Sequence, residues 1–275
     1  MSGFLTEMAK SALARVTNAK SRISEANLWA RAQESPVPPQ LKLSEARFDV
    51  IAELKLKSPA VGQLGAASDD LEARVLQYAE GGAAAVSVLT EPTRFDGSME
   101  HLERSARALA DPGVPAMRKD FLFDPYQVVE ARVAGAGGVL VILRMIDRGR
   151  IVELLDCAAM LKLFVLLEGF DEQDLALGAE IVAERKAHTE TLLLGLNARN
   201  LDTLQVVPDR LKDLAPKLAA GVPHVAESGV GTPEDAAALA TAGYRLALVG
   251  TALMSTPNPR GLITEMLKAA RAVKK

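Results

Sequence analysis

Two charged side chains stand close together in an otherwise apolar stretch, IAELKLKSPAVG (residues 51–62). Glu53 and Lys55 are two residues apart, which in a strand places both side chains on the same face. A carboxylate and an ammonium group on one face can form a structural ion pair, or they can supply a base and an acid to one substrate. The pair taken alone leaves both interpretations open.

Reactive side chains also follow the later apolar runs of the chain. They are Lys119, Glu168, Asn197, Arg199 and Glu227, together with the pairs Ser228-Gly229 and Gly250-Thr251. Each has a structural alternative: Lys119 could pair with Asp120 at a surface, and Glu168 could cap a helix that begins near Asp171. Turn and loop roles are the alternatives for the others. Because so many polar residues follow apolar runs, one shared reactive rim is the better interpretation.

One unit recurs from residue 48 onward, in which a helical segment ends in Ala and Gly and an apolar run follows at once. The stretch QYAEGGAAAVSVLTE (77–91) is an example. Glycine ends a helix by adopting a left-handed conformation, and a continuous apolar run is typical of a parallel strand that is buried on both faces. The pattern predicts eight strands, at 48–55, 84–90, 114–119, 138–144, 163–168, 192–197, 222–227 and 246–250.

The alternation of these strands with amphipathic helices predicts an α/β fold of the (βα)8 TIM barrel class. In such a barrel the chemistry lies at the carboxyl ends of the strands, so the polar residues above should meet at one rim. Residues 1–47 lie outside the repeat, and we expect a helical extension packed on the barrel. Residues 48–275 are then the catalytic barrel domain.

The composition narrows the class of protein. The chain has 275 residues, is 49% apolar and carries a formal net charge of −3, which does not favour nucleic-acid binding. No apolar run reaches the roughly 18–20 residues that span a bilayer. Cys157 is the single cysteine, and His101, His188 and His224 lack the spacing of metal ligands. We therefore expect a cytoplasmic protein that binds no metal, no nucleic acid and no membrane.

Two glycine-bearing turns indicate an anion site. ESGVGTPEDA (227–236) leads into a helix that Thr232 should cap, and LVGTAL (248–253) follows the last strand. Glycine lets backbone N–H groups approach an anion closely, and a helix N-terminus adds a favourable dipole. The loops after strands 7 and 8 are the usual phosphate site of these barrels. A phosphate monoester is therefore the expected ligand group.

Several long stretches resemble the indole-3-glycerol-phosphate synthase family, whose members are (βα)8 enzymes of tryptophan biosynthesis. The resemblance runs from about residue 48 to the C-terminus. The stretches are IAELKLKSPAVG, AVSVLTEPTRFDGSMEHL, VPAMRKDFLFDPYQVVEARVAGA, LGLNARNLDT and VAESGVGTPEDAAALATAGYRLALVGTALM. Other phosphate-binding barrels share the last two loops but lack RKDFLFDPYQ and the SVLTEP segment.

The resemblance implies a carboxy-lyase that needs no cofactor. Its substrate would be a phosphorylated anthranilate-sugar, 1-(2-carboxyphenylamino)-1-deoxyribulose 5-phosphate, which closes a ring and loses CO2 and water. By resemblance Lys119 is the acid of ring closure, and burial is expected to lower its pKa. Lys55 would be the acid of dehydration, with Glu168 and Glu53 as candidate bases. The division of these roles stays open.

The same resemblance implies the binding residues. Arg199 would hold the anthranilate carboxylate together with Lys55, because arginine can bind a carboxylate through two hydrogen bonds. Asn197 would orient polar groups of the ligand. The phosphate would be bound by Ser58, Gly229, Gly250 and Thr251, next to Glu227 and Ser228, and the aromatic ring would be walled by Pro59, Phe121, Leu140 and Leu201.

The chain departs from the family pattern at four places. Ala60 and Val61 follow Pro59 where serine is common, EGFDE (168–172) replaces a Glu-x-His-Asp-Glu pattern, the 182–191 segment is longer, and Thr251 stands where serine is frequent. Two rival functions are a barrel that only binds a phosphorylated ligand and a phosphoribosylanthranilate isomerase. The isomerase should carry a cysteine at the end of the first strand. For assembly we expect a monomer or a weak homo-oligomer.

Overall fold

A closed barrel of eight parallel strands forms the centre of the molecule. The computed structural model describes residues 3–45, 48–58, 62–64, 70–186 and 191–273. The barrel strands are β1 (Asp49–Leu54), β2 (Ala85–Leu89), β3 (Ala116–Lys119), β4 (Gly138–Ile142), β5 (Phe164–Gly169), β6 (Leu192–Asn197), β7 (His224–Glu227) and β8 (Leu246–Val249). Each strand pairs with its neighbours in the chain, and β1 closes the barrel against β8. The predicted (βα)8 class is confirmed.

The strand positions agree with the apolar runs, but the ends differ by a few residues. The run predicted at 138–144 stops as a strand at Ile142, where Leu143–Met145 turn into a short 3₁₀ helix. The run predicted at 222–227 begins only at His224. Apolar residues continue into the adjoining turns, where Leu143 and Met145 are buried and Val222 is half-buried, so hydrophobicity alone does not mark where strand pairing ends.

Helices cover the outside of the barrel. They are α1 (Gly3–Arg22), α2 (Glu25–Glu34), α3 (Leu71–Glu80), α4 (Pro92–Phe95), α5 (Met99–Leu109), α6 (Pro125–Val133), α7 (Arg148–Met160), α8 (Glu172–Glu184), α9 (Arg210–Asp213), α10 (Pro233–Ala242), α11 (Thr251–Ser255) and α12 (Pro259–Arg271). Thr232 caps α10 as predicted, in a reciprocal arrangement with Asp235. Over the described part of the chain, every helix is too short or too polar to cross a bilayer.

Apolar side chains form two layers on either side of the strands. Alternate strand residues such as Ile51, Met117 and Leu166 fill the inside of the barrel. Their neighbours, such as Val50 and Val165, face outward and pack under the helices. Because the side chains of a strand alternate between faces, one apolar run supplies both layers. The interior is therefore a packed core that supports the rim above it.

The N-terminal helices join both layers, as expected for a helical extension packed on the barrel. Leu5 and Met8 of α1 belong to the inner apolar cluster, whereas Leu28 of α2 belongs to the outer one. Tyr126 of α6 donates its hydroxyl to the carbonyl oxygens of Ala19 and Ile23, at 3.1 and 3.0 Å. A domain boundary between residues 47 and 48 stays a prediction.

A short antiparallel pair follows β1. Lys57–Ser58 pairs with Gly62–Gln63, and the backbone N–H of Leu64 donates to the carbonyl oxygen of Leu56 at 2.7 Å. The pairing brings Leu64 back beside Leu56, just beyond the end of β1, and Ser58 lies at the rim. Pro59 and the departures at Ala60 and Val61 lie outside the described residues.

Candidate active site

A cavity of about 620 Å³ opens at the carboxyl ends of the strands. We call it the central cavity. The predicted site residues that line it are Glu53, Lys55, Ser58, Lys119, Phe121, Leu140, Glu168, Asn197, Arg199, Leu201, Glu227, Ser228, Gly229, Gly250 and Thr251. Pro59 and His188 lie outside the described residues. Residues predicted from separate strand ends thus line one cavity.

Glu53 and Lys55 form an ion pair inside the central cavity, with 2.7 Å between Oε1 and Nζ. The carboxylate of Glu53 is nearly fully buried. Burial alone would raise the pKa of Glu53, but the ammonium groups of Lys55 and Lys119 outweigh burial and lower it. Glu53 is therefore a carboxylate at neutral pH. The ion-pair interpretation and the catalytic one describe the same two groups and are compatible.

Gly250 makes room for this pair. A Cβ atom at Gly250 would lie 2.3 Å from Glu53 Oε1 and 3.0 Å from Lys55 Nζ, and the first of these distances is too short for any real contact. The end of β8 therefore needs glycine for a steric reason as well as for the approach of an anion. The loop predicted to bind phosphate and the ion pair at the end of the first strand are in direct contact here.

Lys119 lies among carboxylates at the end of β3. Its Nζ is 3.1 Å from Glu227 Oε2 and 3.7 Å from Glu168 Oε1. Burial alone would lower the pKa of Lys119, but the carboxylates of Glu168 and Glu227 outweigh burial and raise it. The expectation that burial lowers this pKa is therefore wrong. The sequence shows that the lysine is enclosed but does not show how many negative charges surround it.

Asp120 does not pair with Lys119, so the surface-pair alternative for Lys119 fails. Its buried carboxylate accepts two hydrogen bonds from Arg15, both at 2.8 Å, one from Thr90 at 2.7 Å and one from Arg118 at 3.1 Å. Burial alone would raise the pKa of Asp120, but the two arginines hold it well below its ordinary value. This network ties helix α1 to the strand that carries Lys119.

The carboxyl group of Glu227 has a hydrogen-bond partner at only one of its two oxygens among the described residues. Its Oε2 accepts from Lys119, whereas Oε1 is buried without a hydrogen-bond partner among the described residues. Gly195 on β6 provides the space, because a Cβ atom there would lie 2.2 Å from Glu227 Oε1. Burial raises the pKa of Glu227 to about 8, against the opposing charge of Lys119. Glu227 therefore keeps its proton to a higher pH than an exposed glutamate does.

Asn197 orients both Glu168 and the loop that follows β6. Its Nδ2 donates to Glu168 Oε1 at 2.5 Å, and its Oδ1 accepts the backbone N–H of Arg199 at 2.9 Å. The guanidinium of Arg199 donates to the carbonyl oxygen of Leu204, and burial lowers the pKa of Arg199. Glu168 therefore does not cap a helix; Asp171 caps α8 instead.

The predicted phosphate loops differ in the backbone groups they offer. Ser228 and Gly229 both have positive φ, at 68° and 79°, so the chain turns sharply after β7. The N–H groups of Gly231 and Thr232 already donate to Asp235, both at 2.9 Å. The first turn of α10 is thus engaged with its own cap. For the predicted anion site this leaves the backbone at Gly229 and at the start of α11, both of which line the cavity.

Aromatic side chains that the sequence did not single out complete the apolar wall. Phe4 of α1 meets Phe121 edge to face at 5.9 Å between ring centroids, and Phe95 of α4 lies 6.3 Å from the same ring. Phe170 also lines the central cavity, at the position where EGFDE departs from the family pattern. Phe95 could have been found in the sequence, because it lies in the stretch AVSVLTEPTRFDGSMEHL that resembles the family. Phe4 could not, because α1 lies outside the repeated unit.

Cys157, His101 and His224 do not line the central cavity. Cys157 is buried on α7 and lies 3.7 Å from the carbonyl oxygen of Pro125, and burial raises its pKa to about 12. His224 is buried at the start of β7, where its ring contacts Val222 and Ala219 and burial lowers its pKa to about 4. Among the described residues, no group of His, Cys, Asp and Glu has a metal-binding arrangement.

Comparison with known proteins agrees with this geometry. The family model for indole-3-glycerol phosphate synthase matches residues 5–266. The chain belongs to the indole-3-glycerol phosphate synthase family. Members of this family are carboxy-lyases of tryptophan biosynthesis that act on a small phosphorylated substrate. The matched residues include nearly all of α1, whereas the stretches that resemble the family in the sequence begin at about residue 48.

Individual relatives cover nearly the same length. An indole-3-glycerol phosphate synthase of Nocardioides sp. is 42% identical over 237 residues, which are 85% of each chain. One from Lachnospira eligens is 37% identical over 276 residues, which are 96% of each chain. Among solved structures, 3-hexulose-6-phosphate synthase from Salmonella typhimurium aligns with a TM-score of 0.61 at 14% identity, over 81% of this chain and 98% of that one. This last likeness concerns the fold alone.

Proposed function

We propose that the chain converts 1-(2-carboxyphenylamino)-1-deoxyribulose 5-phosphate to indole-3-glycerol phosphate, CO2 and water. The observation that carries the proposal is the position of Lys119, whose ammonium group lies between two carboxyl groups in the same cavity as the Glu53–Lys55 pair. The reaction needs acids and bases on both sides of one ligand, and this cavity supplies them. Membership of the family supports the same reaction.

Lys119 is the proposed acid of ring closure. A ring carbon attacks the ketone carbon, and the ketone oxygen becomes an alkoxide as the new carbon–carbon bond forms. Because the surrounding carboxylates raise its pKa, Lys119 is fully protonated before the reaction. A fixed ammonium group stabilises the developing negative charge. An alkoxide is far more basic than an amine, so it still takes the proton from this lysine.

Arg199 and the apolar wall are proposed to act in decarboxylation. Arg199 would hold the carboxylate of the substrate, and its Nη1 bond to the carbonyl oxygen of Leu204 keeps the guanidinium in place. Phe121, Leu140 and Leu201 would enclose the ring and exclude water from it. Loss of CO2 turns a charged group into a neutral one and returns the bonding electrons to the ring, so an apolar environment favours this step.

Dehydration is assigned to the Glu53–Lys55 pair and to Glu168. Lys55 would protonate the departing hydroxyl group, while Glu53 or Glu168 would accept the proton whose loss completes the indole. Glu53 has a lowered pKa and starts as a carboxylate. Asn197 fixes the orientation of Glu168 through their hydrogen bond. The phosphate would be bound by Ser58, Ser228, Gly229, Gly250 and Thr251.

The test is direct. Purified protein mixed with the proposed substrate should generate indole fluorescence and release one CO2 for each product, without added metal. A folded protein that generates no signal would overturn the proposal and favour a barrel that only binds phosphorylated ligands. The isomerase alternative has little support, since Glu53 and Lys55 occupy the end of β1 and Cys157 lies on α7.

The cellular setting is also proposed. We infer a cytoplasmic location, because a single cysteine and a phosphorylated metabolite are both typical of that compartment. A monomer or a weak homo-oligomer is proposed for the assembly, and sedimentation over a concentration series would measure it.

A further inference from the structure

Arg144 stands at the end of β4, one of the strand ends that carry polar residues. It lies in the 3₁₀ turn Leu143–Met145, but its side chain is not part of the lining of the central cavity. The reaction as assigned above does not use it. Its guanidinium instead contacts the turn that follows β5, which is the strand that carries Glu168.

The contacts of Arg144 are close and directional. Its Nε donates to Asp174 Oδ2 at 2.7 Å, and its Nη2 contacts both Asp174 and Asp171. The guanidinium carbon Cζ lies over the ring of Phe170, 5.0 Å from its centroid. Arginine favours such an arrangement because its planar group can stack on an aromatic face and bind carboxylates at its edge.

Asp174 transmits these contacts to the backbone. The same Oδ2 atom that accepts from Arg144 also accepts the N–H of Phe170 at 2.7 Å. The intervening Gly169 leaves no gap, because a Cβ atom there would lie 2.7 Å from Asp174 Cβ. The first turn of α8 therefore packs directly on the chain between Glu168 and Phe170.

Glu168 and Phe170 are two residues apart and both line the central cavity. Residues at this spacing on a strand share a face, so a change in the backbone at residue 169 would turn both side chains together. Phe170 belongs to the apolar cluster that includes Leu140 and Phe121. The contacts of Arg144 and Asp174 behind this turn thus support both the carboxylate of Glu168 and the ring of Phe170.

We propose that Arg144 is a positioning residue that holds Phe170 against the ring of the substrate and fixes the orientation of Glu168. The inference rests on the proposed function for its substrate. It adds a residue outside the cavity to the machinery and gives Phe170 a role in recognising the planar, apolar part of that substrate.

The experiment measures kcat and KM for Arg144→Met and Arg144→Lys. Methionine keeps an apolar stem over Phe170 but loses the carboxylate contacts, while lysine keeps the charge without the planar group. We expect Arg144→Met to lower kcat/KM by about tenfold or more, with KM raised through Phe170 and kcat lowered through Glu168. Arg144→Lys should fall between this variant and the wild type.

Arg148→Met is the matched control. Arg148 also joins α7 to α8 through carboxylates, since its Nη2 lies 2.6 Å from Glu184 and its Nη1 lies 3.4 Å from Glu180. These contacts are exposed and distant in sequence from Glu168. The control should keep kcat and KM within about twofold of the wild type even if its melting temperature falls.

A double-mutant cycle with Phe170→Leu tests whether Arg144 acts on substrate binding through Phe170. If Arg144 acts through Phe170, the rise in KM for the double variant should be no larger than that of the greater single variant. Additive effects on KM, or an Arg144→Lys enzyme within twofold of the wild type in both constants, would overturn the inference. If Arg144→Met does not fold, the cycle is run with Arg144→Lys. An inactive wild-type protein overturns the proposed function instead.

Discussion

Lys119 Nζ lies 3.1 Å from Glu227 Oε2, and the pKa values of both groups are raised. The two shifts have different causes. Burial favours the neutral form of Glu227, whereas the surrounding carboxyl groups favour the charged form of Lys119. Each group therefore keeps its proton to a higher pH than the same group would in water.

Replacing Lys119 by methionine should abolish turnover while leaving ligand binding. We expect kcat to fall by about a hundredfold to ten-thousandfold, because methionine has a similar length but cannot donate a proton. Binding would be measured by calorimetry with a substrate analogue whose ketone is reduced to an alcohol. Lys217→Met is the control, since Lys217 pairs with Glu172 at the surface. Near-normal turnover by Lys119→Met would remove this lysine from the mechanism.

Glu227→Gln should change how stability depends on pH. The pKa of Glu227 in the folded protein is about 8, above the ordinary 4.5, so the folded state binds this proton more tightly. Its stabilisation is fully present below the ordinary pKa and is lost as the pH rises through about 8. The wild type should therefore lose unfolding free energy relative to Glu227→Gln between pH 5 and pH 8.5.

Urea unfolding at several pH values checks this prediction. Glu265→Gln is the control, because Glu265 is an exposed residue of α12 that lies 4.0 Å from Lys268. Its curve should run parallel to that of the wild type. Parallel curves for Glu227→Gln as well would mean that the pKa of Glu227 is close to its ordinary value.

Alanine at Gly250 should damage catalysis. The added methyl group would meet Glu53 Oε1 at 2.3 Å, so the Glu53–Lys55 pair must move. Displacement of a catalytic group by about 1 Å can cost on the order of a hundredfold in rate, and we expect kcat/KM to fall by at least about tenfold. Gly149→Ala, at an exposed position in α7, should keep normal kinetics. Equal activity in the two variants would contradict the steric role.

Asp120→Asn should destabilise the fold. It removes the charge from a buried carboxylate that holds Arg15 and Arg118, and breaking such a pair costs about 3–5 kcal/mol. Since its pKa is lowered in the folded state, the stabilisation is present above the ordinary value of 3.8 and is lost as the pH falls below it. Urea unfolding at pH 7 measures the difference. Glu103→Gln, in an exposed pair with Arg107, should change little.

The barrel and much of the rim were predictable because each depends on local order in the sequence. An apolar run followed by a polar residue marks a strand end, and the class of fold brings all such ends together. The shared face of Glu53 and Lys55 was predictable from the two-residue alternation of side chains along a strand. The start of β7 and the end of β4 were misplaced by two residues each, since the adjoining turns are apolar as well.

Three-dimensional proximity explains what the sequence left out. Phe4 lines the cavity from α1, which is separated from the first barrel strand by α2. No spacing in the sequence connects Phe4 to Phe121. The direction of the pKa shift of Lys119 depends on distances to Glu168 and Glu227, whose positions in the chain are far apart. The need for glycine at residue 195 likewise becomes visible only when Glu227 is seen beside it.

The contact between Gly250 and the Glu53–Lys55 pair also has a consequence for assembly. Asp49 pairs with Leu246, so β1 and β8 meet where the first and last strands of the barrel close. During synthesis the ribosome releases β1 long before β8, and domains of this size form non-local contacts late. The Glu53–Lys55 pair is therefore enclosed by Gly250 only after nearly all of the barrel has been synthesised. A nascent barrel that lacks its final strand would carry the acid–base residues without the enclosure in which they act.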